Sequence, residues 1–210
     1  MIKWAKRLTE LIGDWIFLVK RDGWKSSRSF ILKEIARLPY RRMPYFVLAY
    51  SLSDPVPEFQ PKRSIDIRPF AAKDLEFVRR EYLPSEANLC RRRLSQGQRG
   101  LMAFIDGQAA GYCWLACDDR LERVRLSIGP GDILAPSAFT APDFRNKGVK
   151  TALAIASLHL SRELGYARIL TYIEVNNIPS LNIWQKKLGS QVIARLDFRR
   201  IGFWRISRYH

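Results

Sequence analysis

Between residues 140 and 150 the chain reads Thr140-Ala141-Pro142-Asp143-Phe144-Arg145-Asn146-Lys147-Gly148-Val149-Lys150, with one glycine set among three cations. The apolar spacing that follows predicts a helix over residues 147–164 stopped by Gly165, so this loop opens onto a helix amino terminus. There the first backbone N–H groups have no partner inside the helix, and the helix dipole presents its positive end. Phosphate is the natural ligand of such a site. Gly148 permits close backbone approach, and Arg145, Lys147 and Lys150 add charge-assisted contacts. A merely solvated basic helix start has the same local pattern, so the loop alone leaves both readings open.

Other reactive residue types are sparse. Cys90, Cys113 and Cys117 form an odd set without zinc-ligand spacing, and His159 and His210 are the only imidazoles. The cysteines read as reduced thiols and no metal is expected. His159 falls mid-helix, where a packed or solvated role outweighs a catalytic one.

The elements that must position the loop follow from periodicity. Ile2, Ala5, Leu8, Leu11, Ile12, Trp15, Ile16 and Val19 recur at helical steps, which predicts an amphipathic helix over residues 2–20. Phe30, Ile31, Ile35 and Leu38 predict a second short helix ending before Pro39. Residues 45–52 are rich in β-formers, and the three prolines of residues 54–61 read as a stiff linker, placing a boundary near residue 63. Beyond it a strand at residues 65–68 precedes a helix at 71–82, and residues 101–105 and 109–116 form a hairpin about Asp106-Gly107. Residues 133–140 form a further strand in which Pro136 marks a bulge or unpaired edge, and residues 169–175 form the next. The expected organisation is an extension over residues 1–63 and one domain over 64–210, of mixed α/β (α+β) class.

Several motifs in this second part lie in the order of a known family. The loop Arg145 to Lys150 is similar to an Arg/Gln-x-x-Gly-x-Gly/Ala acyl-CoA loop. Ile173, Asn177, Ser180, Trp184, Lys186 and Gly189 fall at the spacing Val-x3-Asn-x2-Ala/Ser-x3-Tyr-x-Lys-x2-Gly, and Ile67-Arg68-Pro69 with Asp74-Leu75 matches an opening strand and helix. On these residues the chain resembles the GNAT N-acetyltransferase superfamily over residues 64–210. The resemblance implies a mostly antiparallel twisted sheet flanked by helices, and an N-acyltransferase using acetyl-CoA or another acyl-CoA as co-substrate. It places the pantetheine arm at Phe139 and Thr140 and the diphosphate at Arg145, Asn146, Lys147, Gly148, Val149 and Lys150. Asn177, Ser180 and Trp184 complete the donor site. A small-molecule or peptide amine attacks the thioester directly, with no covalent enzyme intermediate.

Two positions depart from the family pattern. Lys150 replaces the last small residue of the loop, and Trp184 replaces the tyrosine that protonates the departing thiolate; indole is a donor but not a useful acid. Ser180 and Tyr172 are the candidate donors in its place. The position where such families often carry a basic carboxylate is Leu134 here, leaving Asp132 and Glu174 as candidate bases. Two alternatives follow: a CoA-ester-binding module with little or no turnover, or an acyltransferase using a longer acyl chain on acyl carrier protein.

The formal charge of +16 calls for an anionic partner. Residues 1–63 hold 13 Lys and Arg against 6 Asp and Glu, and residues 64–210 hold 23 against 14. The shorter segment is the more densely basic, and it carries Trp4, Trp15, Phe17 and Trp24. A helix on an anionic membrane surface has this composition. A helix docked on its own domain by its apolar stripe has it too, and that is the favoured reading because most helices bury such a stripe. An acidic carrier protein is a third partner. Charge spread along the chain without a nucleic-acid module argues against nucleic acid. Charges interrupt every apolar run near the start, so neither a signal peptide nor a membrane span is expected, and the location is expected to be cytoplasmic, with a peripheral place on the inner face of a membrane left open.

Overall fold

The computed structural model describes residues 2–36, 40–118, 126, 128–201 and 204–209. Helix α1 (Ile2–Ala36) is broken at Gly23 and leads to β1 (Tyr40–Ser51), then β2 (Asp66–Pro69). Helices α2 (Leu75–Glu81) and α3 (Pro84–Ser95) precede β3 (Arg99–Ile105), β4 (Gln108–Ala116) and β5 (Asp132–Thr140). Helix α4 (Val149–Glu163) crosses to β6 (Arg168–Glu174). A short α5 (Ile178–Leu181) runs on as a π turn (Asn182–Lys187) into β7 (Gln191–Ile201) and β8 (Trp204–Tyr209).

The eight strands form one sheet in the order β2-β3-β4-β5-β6-β1-β7-β8. Every neighbouring pair is antiparallel except β5 and β6, which the α4 crossover makes parallel. One face packs on α4, α5 and the π turn through Leu48, Ile133, Ile169, Leu158 and Trp184. On the other face Phe77, Val78, Ala87 and Cys90 of α2 and α3 cover Met102, Tyr112 and Trp114.

The division at residue 63 does not hold in the sheet. Strand β1 comes from the segment read as an extension, yet it lies between β6 and β7, pairing Tyr45–Ser51 with Glu174–Arg168 and Tyr40–Ala49 with Ile201–Gln191. Val47, Leu48, Ala49 and Tyr50 are buried in succession, as a strand covered on both faces requires. Among the described helices, α1 stands outside the layers that cover the sheet.

The proline-rich residues are likewise a fixed strap rather than a linker. Arg162 of α4 donates to the Leu52 carbonyl at 2.8 Å and to that of Asp54 at 2.5 Å, and the Tyr50 hydroxyl donates to Pro55 O at 2.8 Å. Val56 packs on the α4 side of the core, and the strap ends with Phe59 and Pro61 against Gly148 at the start of α4.

Helix α1 does dock, but through a polar contact, with Leu11 and Trp15 of the expected stripe only half-buried. Buried Asp14 holds it to α3, whereas Ile12 and Ile16 of the apolar stripe are exposed; the Leu8 side chain lies outside the described residues. The basic run at residues 91–93 is not uniformly solvated either. Arg93 is buried, donating to Gln98 Oε1 at 2.9 Å with its guanidinium over the Trp114 ring.

Candidate functional site

Strands β5 and β6 pair only from Asp132↔Arg168 to Leu134↔Leu170. Beyond that point β5 follows β4, with Ser137 to Thr140 opposite Trp114 to Gly111, while Thr171 to Glu174 of β6 follow Leu48 to Tyr45 of β1. The sheet therefore splits into two arms. Pro136, which has no N–H to give, lies where the register of β4 against β5 shifts, and the Thr171 hydroxyl donates to the Ala135 carbonyl at 2.9 Å across the apex. Along residues 136–140 the edge of β5 that faces the split is not paired with β6.

This edge runs directly into the cationic loop. After a single 3-10 turn (Pro142–Phe144), Asn146 (φ 62°) and Gly148 (φ 86°) both take left-handed conformations that turn the chain into α4. Asparagine tolerates this and glycine suits it, whereas other side chains pay for it. The first bond of α4 runs from the Ala152 N–H to the Gly148 carbonyl at 3.0 Å, so the N–H groups just before it lie outside the helix ladder. Arg145, Asn146 and Lys147 are exposed, and Val149 is buried as the hydrophobic anchor of the turn.

Two side chains narrow the mouth of the split. Lys150 Nζ donates to Ser180 Oγ at 2.5 Å, tying the start of α4 to α5, and burial lowers its pKa. On the outer side the strap brings Phe59 onto the loop: a Cβ at Gly148 would lie 2.8 Å from Phe59 Cζ, and Lys187 Nζ sits 5.7 Å from the centre of that ring. Asn177 caps α5 by accepting from the Ser180 N–H at 3.4 Å. Trp184 is buried among Ile173, Leu181 and Leu188, as an apolar wall.

The four candidate catalytic residues separate. Asp132 lies at the closed end of the β5–β6 pair, where both carboxylate oxygens accept from Arg168, at 2.8 and 2.9 Å, and one accepts from the Gly129 N–H. A carboxylate so engaged, at the end remote from the split, is a structural ion pair and not a base. Glu174 is the last residue of β6 at the open end, half-buried. Tyr172 is on the same face of β6, with its ring set edge-on to Tyr45 at 5.6 Å. Ser180 faces α4 and is already engaged by Lys150. Cys90 and Cys113 are buried thiols whose pKa values burial pushes up to about 12 and about 11, so neither is a nucleophile at neutral pH.

The model of the acetyltransferase (GNAT) family matches residues 65–190, more than half of the chain. The chain belongs to the GNAT family. Among solved structures it is similar to a Drosophila protein, at 16% identity and TM-score 0.56 over 82% of this chain and 57% of that one. A GNAT-family acetyltransferase of Novosphingobium aromaticivorans matches at 13% identity and TM-score 0.52, over 75% of this chain and 63% of that one. A tandem GNAT protein from the clavulanic acid biosynthesis pathway matches at 18% and 0.54, over 79% and 53%. The chain thus spans little more than half the length of these structures, and at such identities the likeness is one of fold. Among curated proteins none matches.

Of the residues expected at the donor site, Lys150 meets Ser180, Asn177 caps the turn that carries Ser180, and Trp184 is buried in the core beside α5. Phe59 was not foreseen from the sequence. It stands outside the matched residues 65–190, and the prolines that carry it across α4 signalled only stiffness. Tyr82 was also missed as a neighbour of the site: its ring lies 4.7 Å from that of Phe139, which in turn lies 5.5 Å from Tyr112.

Proposed function

We propose that this GNAT protein is an acyl-CoA-dependent N-acyltransferase, with acetyl-CoA the simplest donor and a small-molecule or peptide amine the acceptor. The observation that carries the proposal is the continuity of an edge unpaired with β6, residues 136–140 of β5, with a cationic loop at a helix amino terminus. Phe139 and Thr140 then pair through their backbone with the pantetheine arm. Arg145, Asn146, Lys147, Gly148, Val149 and Lys150 hold the diphosphate, and Asn177, Ser180 and Trp184 form the opposite wall. Ser137 Oγ and Thr140 Oγ1 are buried without a hydrogen-bond partner, which supports polar company along this strand.

In the reaction the amine nitrogen forms the new C–N bond at the thioester carbonyl, the C–S bond breaks, the amine proton passes to a base, and the thiolate takes up a proton. Glu174 is the base in this scheme because it ends β6 at the open end of the split. Lys150 exchanges Ser180 for a phosphate oxygen when the donor arrives. Tyr172 and Ser180 are the candidate proton donors to the thiolate.

The alternative of a CoA-ester-binding module draws on Trp184, which lacks an acidic proton, and on Lys150, which bridges the mouth of the split. Incubation with acetyl-CoA and a panel of amino acids, amino sugars, polyamines and peptides, read by mass spectrometry and by thiol release, decides. One acetylated amine class with equal thiol release is the expected result. Binding without transfer would favour the module, transfer only from an acyl carrier protein would favour the longer-chain donor, and no binding at all would overturn the proposal.

A further inference from the structure

Helix α1 is held to the domain by its polar face. Asp14, 3% exposed, accepts from the Ser85 N–H at 3.0 Å and the Ser85 hydroxyl at 2.7 Å. It thereby caps the first turn of α3, whose own N-cap Leu83 offers no side-chain acceptor. Two turns on, the Arg21 guanidinium reaches the carbonyls of Arg80 and Tyr82 at 3.4 and 3.5 Å. Ile12 and Ile16 lie about 160–200° around the helix from Asp14 at the spacing of 3.6 residues per turn. They are 47% and 43% exposed. Trp15 flanks them and stacks edge-on with Trp24, itself 59% exposed, at 5.4 Å. Of the apolar stripe, Ile12 and Ile16 face away from the domain, whereas Leu11 and Trp15 are half-buried.

The cations say what this face meets. The helix sequence carries Lys3, Lys6, Arg7, Lys20, Arg21, Lys25, Arg28 and Lys33 against Glu10, Asp14, Asp22 and Glu34, and Asp14 is spent on α3. A second copy would set one basic helix against another in a chain of charge +16, which opposes self-association. An acidic carrier protein would meet the cations and leave the stripe to whatever apolar surface it carries. An anionic bilayer surface satisfies both: the stripe enters the boundary of headgroups and acyl chains, tryptophans sit at that level, and exposed Lys20, about 40° around the helix from Ile16, meets lipid phosphate. No described helix is long and apolar enough to cross a membrane.

We infer that α1 is a membrane-surface helix, clamped to α3 through Asp14 so that Ile12, Ile16 and the Trp15–Trp24 pair point at anionic lipid. The contact also reaches the catalytic domain. Arg21 holds the Tyr82 carbonyl, and the Tyr82 ring rests on Phe139 in the β5 arm of the split.

Sedimentation of the full chain with phosphatidylcholine vesicles, with and without phosphatidylglycerol, tests this independently of any acyl transfer. The expected result is binding to the anionic vesicles that weakens with salt, and a loss of about tenfold or more in the double variant Ile12→Glu/Ile16→Glu. Both side chains are exposed, so the variant should keep its circular dichroism and melting temperature. Absence of vesicle binding by the intact chain would overturn the inference, as would undiminished binding by the variant. A dimer seen by light scattering that the variant dissociates, or carrier-protein binding that it abolishes, would assign the stripe to those partners instead.

Discussion

Replacing Gly148 by alanine tests the donor loop with a single methyl group. The residue sits at φ +86°, where an L side chain costs about 1–2 kcal/mol, and its Cβ would come within 2.8 Å of Phe59 Cζ, the far end of a ring that can tilt away. In a chain of this size that strain should lower the melting temperature by about 2–8 °C. The loop must also lose one or two charge-assisted N–H contacts to a diphosphate, worth about 1.5–3 kcal/mol each, so the affinity for acetyl-CoA should fall by at least about tenfold. Gly165 supplies the control: it has φ +80° and no atom within 4 Å of its would-be Cβ, so Gly165→Ala should carry the same strain without the binding loss. Thermal melts and calorimetry on both variants separate the two effects. Equal affinity in Gly148→Ala and Gly165→Ala would refute the assignment of the loop.

Further variants probe the neighbouring groups. Burial lowers the Lys150 pKa below 10.5, so the unfolded chain takes up this proton first as pH falls; the group subtracts stability below its folded pKa, and the loss is relieved as pH rises toward 10.5. A bound diphosphate reverses the shift, so acetyl-CoA binding should take up a proton in that alkaline window and weaken as pH rises, and Lys150→Met should remove both effects in calorimetry. If proton delivery to the thiolate limits turnover, Trp184→Tyr should raise the rate about tenfold or more and Trp184→Phe should not; equal rates in steady-state assays would show that this step is not limiting. Asp74 is buried, and although burial raises its pKa, the Arg68 fork at 2.6 and 2.8 Å and the Ala71 N–H hold it below 3.8. Its stability contribution is present above pH 3.8 and lost as pH falls through the folded pKa, and Asp74→Asn should cost about 2–4 kcal/mol in denaturant titration at neutral pH.

Legibility of the sequence divided along physical lines. Helix α4, the Asp106-Gly107 hairpin, β5 and β6 appeared where periodicity and turn chemistry put them, within one or two residues, because their signals are local. Strand β1 was legible as a strand but not as part of the domain. Its partners lie more than a hundred residues away in β6 and β7, and nothing in its composition encodes that pairing. The prolines at residues 55, 57 and 61 made the strap look like a linker, although stiffness suits a strap equally, and the deciding contacts come from Arg162 and Gly148. In the candidate site, the turn of the loop into α4 was legible from Gly148 and the apolar spacing beyond it. The engagement of Asp132 by Arg168 and of Ser180 by Lys150 was not, since each joins two elements whose approach only the folded sheet sets. Asp14 was hidden for a similar reason: one of four acids in a basic helix reads as a solvated charge until the unfilled cap of α3 is brought against it.

The most direct test of the central claim is native mass spectrometry of the full chain with acetyl-CoA, alone and after addition of the amine identified from the panel. A one-to-one complex with acetyl-CoA is predicted, absent in Gly148→Glu, whose carboxylate would oppose the diphosphate, and converted to the CoA complex when the amine is added. Failure of the folded wild-type chain to retain acetyl-CoA, or retention undiminished in Gly148→Glu, would contradict it.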